Sequence, residues 1–155
     1  MKKTLLFLVS FLISTSLMSQ EVNFTGTWKI NSSKSSLNQE FSLAPLKVTV
    51  VQKGNDLSVE KVSRFQDQEF ITTDKFTLDG KECINTGWQD SQKKSSAVWA
   101  DDKKSLKITS KLAIGDGGDV TIVEVFRMDG NNMVLESSAY SSYGDMVETI
   151  FYDKG

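Results

Sequence analysis

The chain has 155 residues, with 18 Lys and Arg against 20 Asp and Glu, one Pro, ten Gly and one Cys. A formal charge of −2 without a basic stripe leaves no footprint for nucleic acid or an anionic membrane surface, and the composition is neither collagen-like nor that of a disordered chain. His is absent and Cys83 stands alone, which excludes an intrachain disulfide, imidazole metal sites and the familiar nucleophile-base pairs.

Residues 1–19 read as a secretion signal: Lys2 and Lys3, an apolar run from Leu5 to Ile13, then small and polar residues up to Gln20. The run falls short of the roughly 20 apolar residues that a membrane span requires, so a retained anchor is disfavoured. Cleavage is expected after Ser19, although Leu17 stands where a small residue is preferred. No cysteine adjoins that cut, so a lipid anchor is not expected, and the setting predicted is secreted or periplasmic. The remaining 20–155 form one predicted domain with 16 basic and 20 acidic residues, a net charge of −4. A chain of this size buries roughly two-thirds of its unfolded surface, enough for one core without staples.

From Phe24 to Tyr152 apolar and polar residues alternate with period two, the pattern of antiparallel strands with one solvated face. In chain order the turns read as Lys53-Gly54, Asp79-Gly80, Asp102-Lys103, Asp129-Gly130 and Tyr143-Gly144. Across the first four, apolar residues recur seven positions apart: Val50 and Leu57, Phe76 and Cys83, Trp99 and Leu106, Phe126 and Met133. Facing partners in a hairpin share a face. Extension by twos predicts an inward face of Phe24, Trp28, Ile30, Leu46, Val48, Val50, Leu57, Val59, Phe70, Phe76, Ala97, Trp99, Leu106, Ile108, Ile122, Phe126, Met133, Leu135, Ile150 and Tyr152. Thr25, Lys29, Lys47, Lys75, Lys107 and Lys111 fall on the other face. A meander of about 8–10 strands loses its free edges by closing on itself, so an all-β, antiparallel up-and-down barrel is favoured over a two-sheet sandwich.

The opening strand, Phe24-Thr25-Gly26-Thr27-Trp28-Lys29, resembles the Gly-x-Trp first strand of lipocalins and the Phe-x-Gly-x-Trp-Lys opening of fatty-acid-binding proteins, both calycins. With "VTVVQKGNDLSV" and the later Asp-Gly turns, it looks most like the small lipocalin-like domains secreted into bacterial envelopes. The resemblance implies that Trp28 plugs the closed end and that Gly26 permits close passage of the first strand. The chain also departs from these families. No helix pair is legible between Asn31 and Pro45, and no Arg-x-Tyr pair stands on the last strand to hold a carboxylate. Thr73-Asp74-Lys75-Phe76 only loosely echoes the second lipocalin motif, and Arg127 is the nearest substitute for the Arg that covers the Trp in lipocalins.

The same register turns Thr72, Asp74, Asn85, Ser95, Ser110, Glu124, Ser137 and Glu148 inward. Unpaired carboxylates in a dry core cost several kcal/mol each, so the barrel should hold water or a ligand. The alternatives are a solvated mouth, or a register slip that turns these residues outward. Gly115-Asp116-Gly117-Gly118-Asp119 lacks the alternating ligands of a calcium loop and reads as a turn. Trp88, in the loop after the fifth strand, is placed near the mouth; Cys83, opposite Phe76, reads as a small buried residue.

The function expected is non-enzymatic: extracytoplasmic binding of a small, largely apolar, neutral or cationic ligand by a monomer, with no cofactor and no metal. The residues expected to line the site are Thr72, Asp74, Asn85, Trp88, Trp99, Glu124, Phe126, Ser137, Glu148 and Tyr152, with Lys61 the cation foreseen there. The other reading is a filled barrel that binds an envelope protein through loops 31–45 and 113–119.

Overall fold

The computed structural model describes residues 20–115 and 118–155; the expected signal at 1–19 and the step Asp116-Gly117 lie outside the described residues. Ten strands follow in order: β1 (Gly26–Ile30), β2 (Lys47–Lys53), β3 (Asp56–Phe65), β4 (Gln68–Thr77), β5 (Cys83–Thr86), β6 (Gln92–Trp99), β7 (Ser105–Ile114), β8 (Gly118–Asp129), β9 (Asn132–Ser141) and β10 (Gly144–Lys154). They form one antiparallel sheet, β4-β3-β2-β1-β10-β9-β8-β7-β6-β5, so the first and last strands pair and the meander curls into a nearly closed barrel. The only helical piece among the described residues is a 3-10 turn, Trp88–Asp90, and no helix among them is long and apolar enough to cross a membrane.

Most of the predicted inward face is the core, while Ile30, Leu46 and Ile122 are half-buried and Phe70 is exposed. Phe24, Trp28, Val48, Val50, Leu57, Val59, Phe76, Trp99, Leu106, Ile108, Phe126, Met133, Leu135, Ile150 and Tyr152 are all buried. The turns, however, are displaced by one residue in three hairpins. Gly54-Asn55 joins β2 to β3, Gly130-Asn131 joins β8 to β9, and Ser142-Tyr143 joins β9 to β10. Val50 therefore faces Val59, and Phe126 faces Leu135. Moving a turn by one residue moves a partner by two, which preserves the face; this is why the predicted core survives the error. Trp99 does face Leu106.

Asp79-Gly80 does not close a hairpin. β4 and β5 lie side by side without a ladder, Phe76 and Cys83 are not partners, and Cys83 is only half-buried, its Sγ 3.7 Å from the Thr77 hydroxyl. The hairpin that sequence misses joins β3 to β4 through Gln66 and Asp67, at φ 48° and 62°. Left-handed residues there would ordinarily announce themselves as Gly or Asn.

One end of the barrel is sealed by the chain entering β1. The Val22 N–H donates to the Lys103 carbonyl at 3.1 Å, and Phe24 stacks on Trp99 with 6.0 Å between ring centres and meets Phe126 edge-on. The Trp28 indole N–H donates to the Phe24 carbonyl at 2.9 Å. Gly26 sits at φ +152°, which is what requires glycine; an added Cβ would find only ordinary contacts at 3.7 Å and beyond, so close passage is not the reason. The cation over the Trp28 ring is Lys154 of β10, 5.9 Å from its centre. Arg127 instead pairs with Glu136 outside the barrel, at 3.2 Å.

Candidate functional site

Going from the sealed end toward the other, the inward residue just above the packed layer is polar on seven strands: Lys61, Asp74, Ser95, Ser110, Glu124, Ser137 and Glu148. Above this belt lies a cavity of about 330 Å³, whose wall includes Lys61, Ser63, Trp88, Ile122, Glu124, Leu135, Ser137, Ala139, Met146 and Glu148. Above the belt stand the small or flexible Ala139, Met146 and Ser63, where the buried Leu135, Ile150 and Val59 stand below it on the same strands. The chain fails to fill the space, and a void of this size is within the range of small-molecule sites.

The cavity is roofed on one side by the irregular segment 31–46, where no helix pair forms, as sequence predicts. Leu43, Ala44 and Pro45 line the void. The segment is tied down by a bridge between Ser36 and Thr149, by the Asn38 N–H donating to Glu148 Oε1 at 2.9 Å, and by the Tyr152 hydroxyl donating to the Pro45 carbonyl at 2.9 Å. Burial, then the nearby carboxylates of Glu124 and Glu148, push the Tyr152 hydroxyl pKa up, so it stays a neutral donor.

The belt pairs most of its own polar groups. Lys61 Nζ binds Glu124 Oε1, Lys93 Nζ binds Asp74 Oδ2 at 2.7 Å, and the hydroxyls of Ser95 and Ser110 meet at 2.8 Å. Lys93 is the cation that sequence reasoning missed. It shares strand parity with Ser95, Ala97 and Trp99, a signal outweighed by the habit of reading Lys as solvated.

The Asp74–Lys93 pair crosses the β4–β5 seam to reach β6, and Asn85 ties β5 itself to β4. Its Oδ1 accepts from the Lys75 N–H at 2.8 Å while its Nδ2 donates to the Lys75 carbonyl at 3.0 Å, imitating one rung of the missing ladder. Beyond these contacts the seam widens into a groove of about 720 Å³ that shares Phe70, Trp88, Leu112 and Ile122 with the cavity wall. Gln66, Asp67, Gln89 and Asp90, four of the five non-glycine residues with positive φ among the described residues, sit in the two turns beside it. Such strain concentrates where structure serves something other than stability.

No family model and no curated protein matches the chain. Solved structures do match in shape. The zebrafish ileal bile acid-binding protein, complexed with cholic acid, aligns over 85% of this chain and 98% of its own, at 15% identity and a TM-score of 0.55. Lipid binding protein 8 of Caenorhabditis elegans, in its apo form, aligns over 85% and 95%, at 10% identity and a TM-score of 0.58. The chain shares their fold, an antiparallel β-barrel. A luciferase domain from the dinoflagellate Lingulodinium polyedrum also matches, at 9% identity and a TM-score of 0.50, over 84% of this chain and 41% of its own.

Within this barrel the predicted site residues separate. Trp88, Glu124, Ser137 and Glu148 line the cavity. Thr72 is exposed along the seam groove, while Asp74 and Asn85 hold the seam together. Trp99, Phe126 and Tyr152 do not reach the void: Trp99 and Phe126 belong to the packed end, and Tyr152 is fully buried beneath the roofing segment. Aromatic residues selected by their inward parity alone were bound to include the filled layer as well as the hollow one.

Proposed function

We propose that this protein binds a small, largely apolar molecule inside its barrel, in an extracytoplasmic setting, and that it binds without turning its ligand over. The observation that carries this reading is the 330 Å³ cavity above a buried polar belt, apolar over most of its wall and joined to the outside by the mouth and the seam. The bile-acid and lipid binding proteins that share the fold support it at the level of architecture. Secretion is supported by the Lys-led apolar run and small residues of 1–19. Binding rather than catalysis is favoured because Glu124 is occupied by Lys61, and Glu148 is tied to a backbone N–H.

Native mass spectrometry of protein purified from its own host tests the reading. A reproducible mass excess, lost on denaturation and absent from Ala139→Phe, supports it, because that substitution fills the void. Bare protein throughout, with no shift from a panel of lipids and apolar metabolites, overturns it. The mass of the mature N-terminus in the same spectra tests cleavage after Ser19.

A further inference from the structure

Within the cavity wall the polar belt leaves one pair without side-chain partners. Lys61 pairs with Glu124, Ser95 with Ser110, and Lys93 with Oδ2 of Asp74, whose buried Oδ1 has no partner but does not line the cavity. Ser137 and Glu148 remain, and they are direct partners across β9 and β10. Neither has a side-chain partner among the described residues; Glu148 receives only the Asn38 N–H, on one of its two oxygens. Glu148 is 3% exposed, yet it lines the cavity. The wall therefore carries one ammonium, Lys61, against two carboxylates, Glu124 and Glu148, a formal balance of −1 facing an otherwise apolar void. A buried carboxylate without a countercharge is costly, and an occupant bringing a positive charge relieves that cost.

We propose that Glu148 and Ser137 form a head-group site for the ammonium of a primary alkyl amine whose tail fills the apolar upper cavity. This rests on the binding reading above and specifies its ligand class. A primary ammonium has three donors, and the free oxygen of Glu148 and the Ser137 hydroxyl are two acceptors on neighbouring strands of one face. A carboxylate head group would meet the −1 wall and be rejected; an alcohol would make hydrogen bonds without the charge term. Outside, the turns at the open end carry exposed Asp67 and Asp90, and the start of β10 carries Asp145, while Arg64 near Asp67 is tied to Glu69 at 2.7 Å. Their field draws cations toward the opening and repels anions.

The test is displacement of a fluorescent apolar probe from the purified protein at pH 7, where a primary alkyl amine is cationic. Dodecylamine, dodecanol and dodecanoate are compared at low and high salt. We expect dodecylamine to bind at least about tenfold more tightly than dodecanol, with dodecanoate weakest. Glu148→Gln, which keeps an acceptor for the Asn38 N–H, should remove that preference by weakening dodecylamine at least about tenfold more than dodecanol. Ser137→Ala should reduce it about threefold to tenfold and serves if the Gln variant folds poorly. Equal binding of amine and alcohol by the wild type overturns the head-group site but leaves the cavity reading standing, as does a preference that survives Glu148→Gln. Failure of all three compounds to displace a probe overturns both.

Discussion

Phe126 and Glu124 are two residues apart on β8, on the same face, and their surroundings have almost nothing in common. Phe126 is wedged among Phe24, Leu57, Val59 and Leu106, where the gaps cannot hold a water molecule. Glu124 looks into an open space of about 330 Å³. The same step recurs on neighbouring strands, from Leu135 to Ser137 and from Ile150 to Glu148. A single strand thus belongs to two environments. Stability is concentrated below the polar belt and capacity for a guest above it, so an identical type of substitution should have unlike effects in the two halves.

The sharpest contrast is in large-to-small changes. Trp28→Ala removes a fully packed ring and its hydrogen bond to the Phe24 carbonyl, and should cost about 3–5 kcal/mol in urea unfolding. Met146→Ala, in the wall of the void, should cost less than about 1 kcal/mol because its surroundings are already loosely packed. Equal losses for the two would erase the distinction between halves.

A second contrast sets the laddered wall against the seam. Everywhere else strands are joined by backbone hydrogen bonds, whereas β4 meets β5 through Asn85 and reaches past it to β6 through the Asp74–Lys93 pair. Asp74→Ala leaves the Lys93 ammonium beside the groove, where it can turn toward water, so the expected loss is about 1–3 kcal/mol rather than the larger value of a deeply buried orphan charge. Asn85→Ala should add less than its own single effect once Asp74 is gone, since both hold one joint. Hydrogen exchange at the Lys75 amide should rise in either variant while the β7–β8 ladder keeps its protection. A uniform rise across the barrel would mean that the seam is no weaker than the rest.

What sequence made legible follows the reach of each interaction. Period-two alternation is local, and it marked the core and the polar belt even where turns were misplaced, since an error of two preserves the face. The β3–β4 turn was hidden because Gln66 and Asp67 adopt positive φ without glycine. The seam was hidden because Asp79-Gly80 has the chemistry of a hairpin and nothing local says that its strands fail to pair. The roof over the cavity depends on Asn38 reaching Glu148, 110 residues away, and the sealed end on Val22 reaching Lys103. Such contacts exist only once the barrel has closed, which is why the wall of the site could be read and its roof could not.

Tyr152 stands at the boundary between the two halves and gives the smallest, most conditional effect. At pH 7, Tyr152→Phe should cost about 1 kcal/mol by leaving the Pro45 carbonyl without its donor. In the folded state the hydroxyl pKa is raised by burial and by Glu124 and Glu148, above the value near 10 expected when unfolded. A raised folded value gives stability that is complete below pH 10 and declines as pH rises beyond it, because the unfolded chain can release the proton and the native chain cannot. The decline is about 1.4 kcal/mol per pH unit for one such group. Tyr140 and Tyr143 are common to both proteins and lie exposed at the mouth, so they cancel in the comparison. The wild type should therefore be the more stable at pH 7, and the Phe variant should overtake it near pH 11. Parallel pH profiles would show instead that water reaches the hydroxyl, and that the hollow half extends further down than the polar belt.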